Sequence, residues 1–235
     1  MGRFRAAAVA VLVVASACSG GGGGGAPSPT IDPAQADQLT ADATVLQASD
    51  LPGTFESRSS SSSSAEIDPR PSQEADKCVK DASGASGGAL DAQRTAQAKR
   101  EFRVGSGPNS VTVTGSVSLY HDATGPSTEA DEFGKAGIGE CIRKVFSDEF
   151  ALFGATALNL TVTPTKVDGF GERQLGYVIS GPITINGDNI VYAAELDLVT
   201  IGRASLLVTV DSLQGGADHA YAVTAMTAMA NRLPK

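Results

Sequence analysis

Apolar residues recur along this chain in three patterns, and each predicts a different kind of element. From Ser110 to Tyr120, Val111, Val113, Val117 and Leu119 alternate with Thr112, Thr114, Ser116, Ser118 and Tyr120, the period of a strand buried on one face. Gly115 interrupts its apolar side. Over 127–146 the period lengthens to that of a helix: Ala130, Phe133, Gly137, Ile138, Cys141, Ile142, Val145 and Phe146 form one stripe. Ser127 or Thr128 is its expected cap, and Glu129, Asp131 and Glu132 fall in the first turn, where the helix dipole favours them. The third pattern is an unbroken run, Ala6–Val14, too short for the roughly 20 residues that span a bilayer.

Alternation returns at Leu158, Leu160 and Val162, in a strand expected to stop near Pro164, and over Gln174–Ile185, where Gly181-Pro182 is expected to break it. Asn186-Gly187 is a hairpin turn. Strands over Asn189–Thr200 and Ala204–Asp211 follow, joined by Gly202-Arg203. Links this short exclude crossover helices, so the strands form an antiparallel meander. Asp32-Pro33 opens a helix within 33–48, with Leu39, Ala43 and Leu46 at helical spacing and a turn at Ser49–Gly53. A closing helix starts near Asp218, with Ala222, Met226, Met229 and Leu233 down one side. Leu90–Phe102 fits a helix or the approach to a strand. The fold class expected is α+β: an antiparallel sheet of about five or six strands, covered on one face by two long helices. Thr112, Thr114, Thr161 and Thr163 then lie on a bare face, solvated or lining a groove.

The run Ala6–Val14 acquires a meaning from its flanks. Arg3 and Arg5 precede it, and Ala15, Ser16 and Ala17 lead to Cys18, the layout of a secretory signal. Val14–Cys18 resembles the bacterial lipobox, with Ala15 where a large aliphatic residue is preferred. The resemblance implies a diacylated Cys18 as the mature N-terminus; an ordinary signal cut near Ala17 would leave that cysteine a free thiol. The expected organisation is a signal peptide (1–17), a Gly/Ser/Pro tether (18–31) and one α+β domain (32–235). A serine tract, Ser59–Ser64, makes an exposed loop near 57–66.

Charge narrows the partners. Cleavage takes Arg3 and Arg5 from the 18 basic residues and leaves 16 against 26 acidic ones, a net charge near −10. Nucleic acid and electrostatic adsorption to anionic lipid both require basic patches, so membrane attachment would fall to the lipid on Cys18. With Cys18 acylated, Cys78 and Cys141 remain as a pair in an oxidising compartment, and a disulfide between them is expected. A metal site lacks partners: neither cysteine has a C-x-x-C neighbour, and His121 and His219 show no ligand spacing. No cofactor is expected.

Catalytic patterns are thin. Gly84-Ala85-Ser86-Gly87-Gly88 fits G-x-S-x-G, with His219 late in the chain, but Asp76–Asp81 before it is no buried strand, which that motif requires. Glu195 and Asp197 are neighbours on one strand, not carboxyls facing across a cleft, and read as a solvated face. Glu140, Asp148 and Glu149 flank a helix end. Arg94, Lys99, Arg100 and Arg103 form a basic cluster, read as a solvated helix face, with contact to an anionic envelope ligand as the alternative.

Val45-Leu46-Gln47-Ala48-Ser49-Asp50-Leu51-Pro52-Gly53-Thr54-Phe55 is similar to the opening of actinobacterial sensor-domain proteins, a family that includes the extracellular domains of PknH-type receptor kinases. The later order also matches: a cysteine near 78, a Val-rich strand, a helix with a second cysteine, hairpins and a closing helix. The resemblance implies a sheet with helices around a cleft that binds an envelope ligand. Two features depart from it: Glu140 stands before Cys141 where the family often carries Trp nearby, and only one cysteine pair is available. The function expected is a non-enzymatic, lipid-anchored module on the extracytoplasmic face of the cell membrane. The alternative is a lipid or glycolipid carrier with an apolar cavity; a hydrolase ranks third.

Overall fold

The structure, a computed structural model, describes residues 32–58, 87–106, 109–152, 154–185, 187–214, 216 and 218–234. The signal, the tether, Cys18, the serine tract, Cys78 and Ser86 lie outside the described residues.

Pro33 starts the first helix, α1 (Pro33–Thr44), and the Asp32 carboxylate accepts from the Ala34 N–H at 3.1 Å. The helix stops at Thr44 because Val45 turns extended. Leu46 therefore reaches the core from an extended segment, and Leu39, expected to face inward, is 57% exposed. A single 3-10 turn (Ala48–Asp50) follows, then strand β1 (Glu56–Arg58). Helix α2 (Gly87–Gln93) leads into β2 (Arg94–Val104), so the ambiguous 90–102 segment is mostly strand. The alternating strand is β3 (Val111–Tyr120).

The long stripe over 127–146 is two helices, α3 (Thr124–Phe133) and α4 (Ile138–Leu152). The break falls between Gly134 and Gly137, where Gly137 takes φ 97°, a conformation that side chains with a Cβ avoid. The strand expected over 158–164 is likewise divided, into β4 (Ala155–Leu158) and β5 (Thr161–Thr165). Both pair with β6 (Arg173–Ile185), β4 through Ile183–Ile185 and β5 through Gly176–Ser180. Gly181-Pro182 does not break β6. Pro182 sits at the jog between β4 and β5, where its carbonyl accepts from Asn159 and no ladder bond needs the N–H it lacks. β7 (Asp188–Ile201), β8 (Ala204–Ser212) and α5 (His219–Arg232) complete the chain, with Asp218 capping α5.

All pairings are antiparallel, in the order β1-β2-β3-β8-β7-β6-β4 with β5 beside β6. The described sheet thus has eight strands, more than the pattern predicted, because β1 and β2 hide in polar sequence and one expected strand is two. Helices also cover both faces, not one. On the first face α1 and α5 pack over Val113, Val117, Leu206, Val208 and Val210. On the second, α3 and α4 pack over Tyr177, Ile179, Ile183 and Ala194. Cys141 is 4% exposed in this second core. Fully burying each large apolar side chain stabilises by about 1.5–3 kcal/mol, so both helix layers are anchored by the sheet between them.

Candidate functional site

The second face is only partly covered. α4 lies over β4 and β5, reaches Tyr192 of β7 through Phe146 and Phe150, and leaves β2, β3 and β8 open beside it. A groove of about 700 Å³ lies there, lined by these strands and by Phe146, Glu149 and Phe150 of α4. Strand alternation decides which side chains reach it. On β2, Lys99, Glu101 and Arg103 point into the groove while Ala98 and Phe102 enter the first core. Thr112 and Thr114 of β3 and Thr209 and Asp211 of β8 make the floor.

Register converts these positions into rows. Arg103 pairs with Thr112 and Thr112 with Asp211; Glu101 pairs with Thr114 and Thr114 with Thr209. Each row continues onto β7 as an apolar residue, Ala194 or Leu196. The groove is therefore charged at β2, carries hydroxyls at β3 and a hydroxyl and a carboxyl at β8, and is mainly apolar where it meets α4, apart from Glu149. At that end Tyr192 touches Phe150 edge-on (ring centroids 4.6 Å apart) and Phe146 at 5.8 Å, with Ile185 and Leu213 alongside.

Most of this polar surface is not spent on the protein. The side chains of Thr112, Thr114, Glu149, Thr209, Asp211 and Tyr192 make no hydrogen bond to another described residue. Tyr192 is 4% exposed, and buried hydroxyls ordinarily find a partner. Burial pushes the Asp211 carboxyl up to about 6, helped by the nearby negative charges of Glu101 and Glu149 and opposed by Arg103. Burial also raises Glu149, against the pull of Lys99. Arg103 donates to Ser110 Oγ at 2.6 Å, which holds its guanidinium along the groove wall.

A second polar cluster lies under the start of α5. Glu195 and Asp197, expected on a solvated face, are 2% and 0% exposed. They occupy the β7 face that carries Val199 into the first core. His219, exposed at the start of α5, brings Nδ1 to 2.5 Å from Glu195 Oε1. Neither Asp197 oxygen meets an N–H or hydroxyl donor. Burial and the Glu195 charge raise Asp197 strongly, which favours its protonated form beside Glu195. Opposite on β6 stands Gly176, where a Cβ would come within 2.3 Å of Asp197 Oδ1. Among the described residues no three His, Cys, Asp or Glu side chains converge as metal ligands.

The remaining sequence candidates separate. Of the basic cluster, Lys99 and Arg103 line the groove. Arg94 instead pairs with Asp91 and lies 5.8 Å from the Tyr120 ring centre, and Arg100 bonds to Gln47. Thr112 and Thr114 are groove floor, whereas Thr161 and Thr163 are exposed on β5. Glu140 and Asp148 form pairs with Arg143 and Lys144 along α4; only Glu149 of that trio turns to the groove. His121 is exposed. Asp211 and Tyr192 were not singled out beforehand, although each is a polar residue set into an apolar strand.

The Asp50 of the Asp-Leu-Pro-Gly stretch has a structural part. Its carboxylate accepts from the Gln47 N–H at 2.6 Å and from both Arg232 terminal nitrogens at 2.7 and 2.8 Å. Arg232 also donates to the Thr44 and Val45 carbonyls. This stretch locks the end of α1 to α5.

No family model matches the chain, and no curated protein matches it. Among solved structures, it is similar to the extracellular domain of PknH from Mycobacterium tuberculosis, at 10% identity over 63% of this chain and 70% of that one, with a TM-score of 0.36. No residue role is carried across at that distance. Among the described residues, no helix is long and apolar enough to cross a membrane.

Proposed function

We propose that this protein is a non-enzymatic, lipid-anchored binding module on the extracytoplasmic face of a bacterial membrane, and that the groove beside α4 is its ligand site. The observation that carries the reading is the groove's unspent polar surface. Six side chains capable of hydrogen bonding converge there without a described protein partner, in a volume within the ordinary range of small-molecule sites. The lipobox-like Val14–Cys18 supports the anchor. The cysteine count supports a Cys78–Cys141 disulfide, and so does Cys141's not being a free thiol. Intact mass of exported protein should show that pair oxidised.

The carrier reading draws on Phe146, Phe150, Tyr192, Ile185 and Leu213, but an acyl chain filling the groove would strand the threonine hydroxyls and Asp211 against hydrocarbon, which is costly. Native mass spectrometry of the protein purified from its own envelope separates the readings, with Thr209→Trp as a variant whose groove is filled. A small polar adduct that disappears in the variant is the expected result. A lipid adduct would favour the carrier, and spectra identical for both proteins, each free of adduct, would remove the groove as a site.

A further inference from the structure

The make-up of the groove narrows what it binds. Its charges are of both signs, with Lys99, Glu101 and Arg103 along one wall and Glu149 and Asp211 elsewhere in the lining, so an anion meets carboxylates and a cation meets basic groups. An uncharged ligand meets neither penalty. The floor offers hydroxyls on a lattice: Thr112 and Thr114 recur about 7 Å apart along β3, and each faces a polar partner on β8, Asp211 or Thr209, about 5 Å away. A hydroxyl both donates and accepts, and Asp211 and Glu149 accept. This surface matches a ligand that presents many hydroxyls at short, regular intervals.

The other end asks for a different property in the same ligand. Phe146 and Phe150, both partly exposed, put ring surface there, packed against the buried Tyr192 ring. A sugar ring has this dual character, with C–H groups on its faces and hydroxyls around its rim. A peptide recognised through its backbone would instead need a free sheet edge, and the floor strands β3 and β8 are both interior to the sheet. About 700 Å³ accommodates more than one ring.

Resting on the binding-module reading, we infer that the groove binds a short, uncharged oligosaccharide: Thr112, Thr114, Thr209 and Asp211 take its hydroxyls, and Phe146 with Phe150 takes a ring face.

The test is a titration of the full mature chain, made soluble by Cys18→Ser and isotope-labelled for NMR. The probes are cellotriose and tri-N-acetylchitotriose, with triglycine as a zwitterionic control and lysophosphatidylcholine as an acyl-chain control. The expected result is saturable shifts of the Thr112, Thr114, Thr209 and Asp211 amides with at least one trisaccharide. Thr114→Val and Asp211→Asn should each weaken that binding by about three- to tenfold, the loss of one hydrogen bond, with unchanged spectra away from the groove. If triglycine or the lysolipid shifts these amides and neither trisaccharide does, the ligand class is wrong and the binding module stands. If none of the four shifts them, both fall. Saccharide shifts confined to residues outside the groove, or binding indifferent to both variants, would also overturn the inference.

Discussion

Asp197 is fully buried beside a second carboxyl, Glu195. Its carboxyl is held up to about 8 by burial and by Glu195, whereas an unfolded aspartate titrates near 3.9. Between those two values the folded protein binds more protons than the unfolded chain, so stability falls as pH rises. Asp197→Asn removes the group that must stay protonated. The variant's thermal midpoint should change less than the wild type's between pH 5 and 9 and exceed it at the alkaline end; parallel curves would refute this. Asp50 has the opposite sign. Burial works against its charge, but the Arg232 and Gln47 hydrogen bonds outweigh it and hold the carboxyl below its usual range. Its contribution is present above the ordinary aspartate pKa and fades as pH falls through the lowered one. Arg232→Met should cost on the order of 2 kcal/mol at neutral pH, the scale of hydrogen bonds to a charged group, and less at acid pH, where Asp50 becomes protonated and the Thr44 and Val45 carbonyl bonds remain. Urea denaturation at both pH values measures the difference.

At the scale of elements, Gly115 shows how closely the helices sit on the sheet. A Cβ there would lie 2.6 Å from the Leu46 Cβ and 2.9 Å from the Met229 sulfur. Gly115→Ala should therefore destabilise by about 2 kcal/mol, within the range of overpacked cores. Gly216→Ala, with open space around it, should be close to neutral in the same unfolding assay. Elements with a clean period were legible in the sequence: β3, the β6–β7–β8 meander and α5 all stand where alternation or the Met226–Met229 stripe put them. Legibility failed where both faces of an element are occupied or neither is apolar. β2 reads as Arg, Lys, Glu and Ala because one face lines a charged groove and the other meets the core through small side chains. The break between α3 and α4 was hidden because Gly137 fits the apolar stripe while requiring a backbone that ends a helix. The groove itself was half visible. The threonine rows followed from period two, but Glu149, Tyr192 and Asp211 join them only through the packing of α4 side chains on Tyr192 and through register between strands distant in sequence.

Asp32–Lys235 forms one compact unit, and the proposed anchor is tested separately from it. Cys18→Ser should release the domain, folded, into the medium; a variant that still sediments with membranes in fractionation would refute the lipid anchor. The Arg232 clamp has one more consequence, and it concerns time. Asp50 and Arg232 are 182 positions apart, and the second tie across the fold, Asp37 to Arg203, spans 166. Synthesis delivers α1 first and its clamp nearly last. Contacts of such separation are slow to form because long loops must close before they contribute. Until the final helix emerges, α1 and its turn are held by β2 and then by Arg203, while the Asp50 carboxylate still lacks the Arg232 clamp, so the domain cannot be completed piecemeal from its N-terminus. The earliest segment of the domain to be made is among the last to be secured.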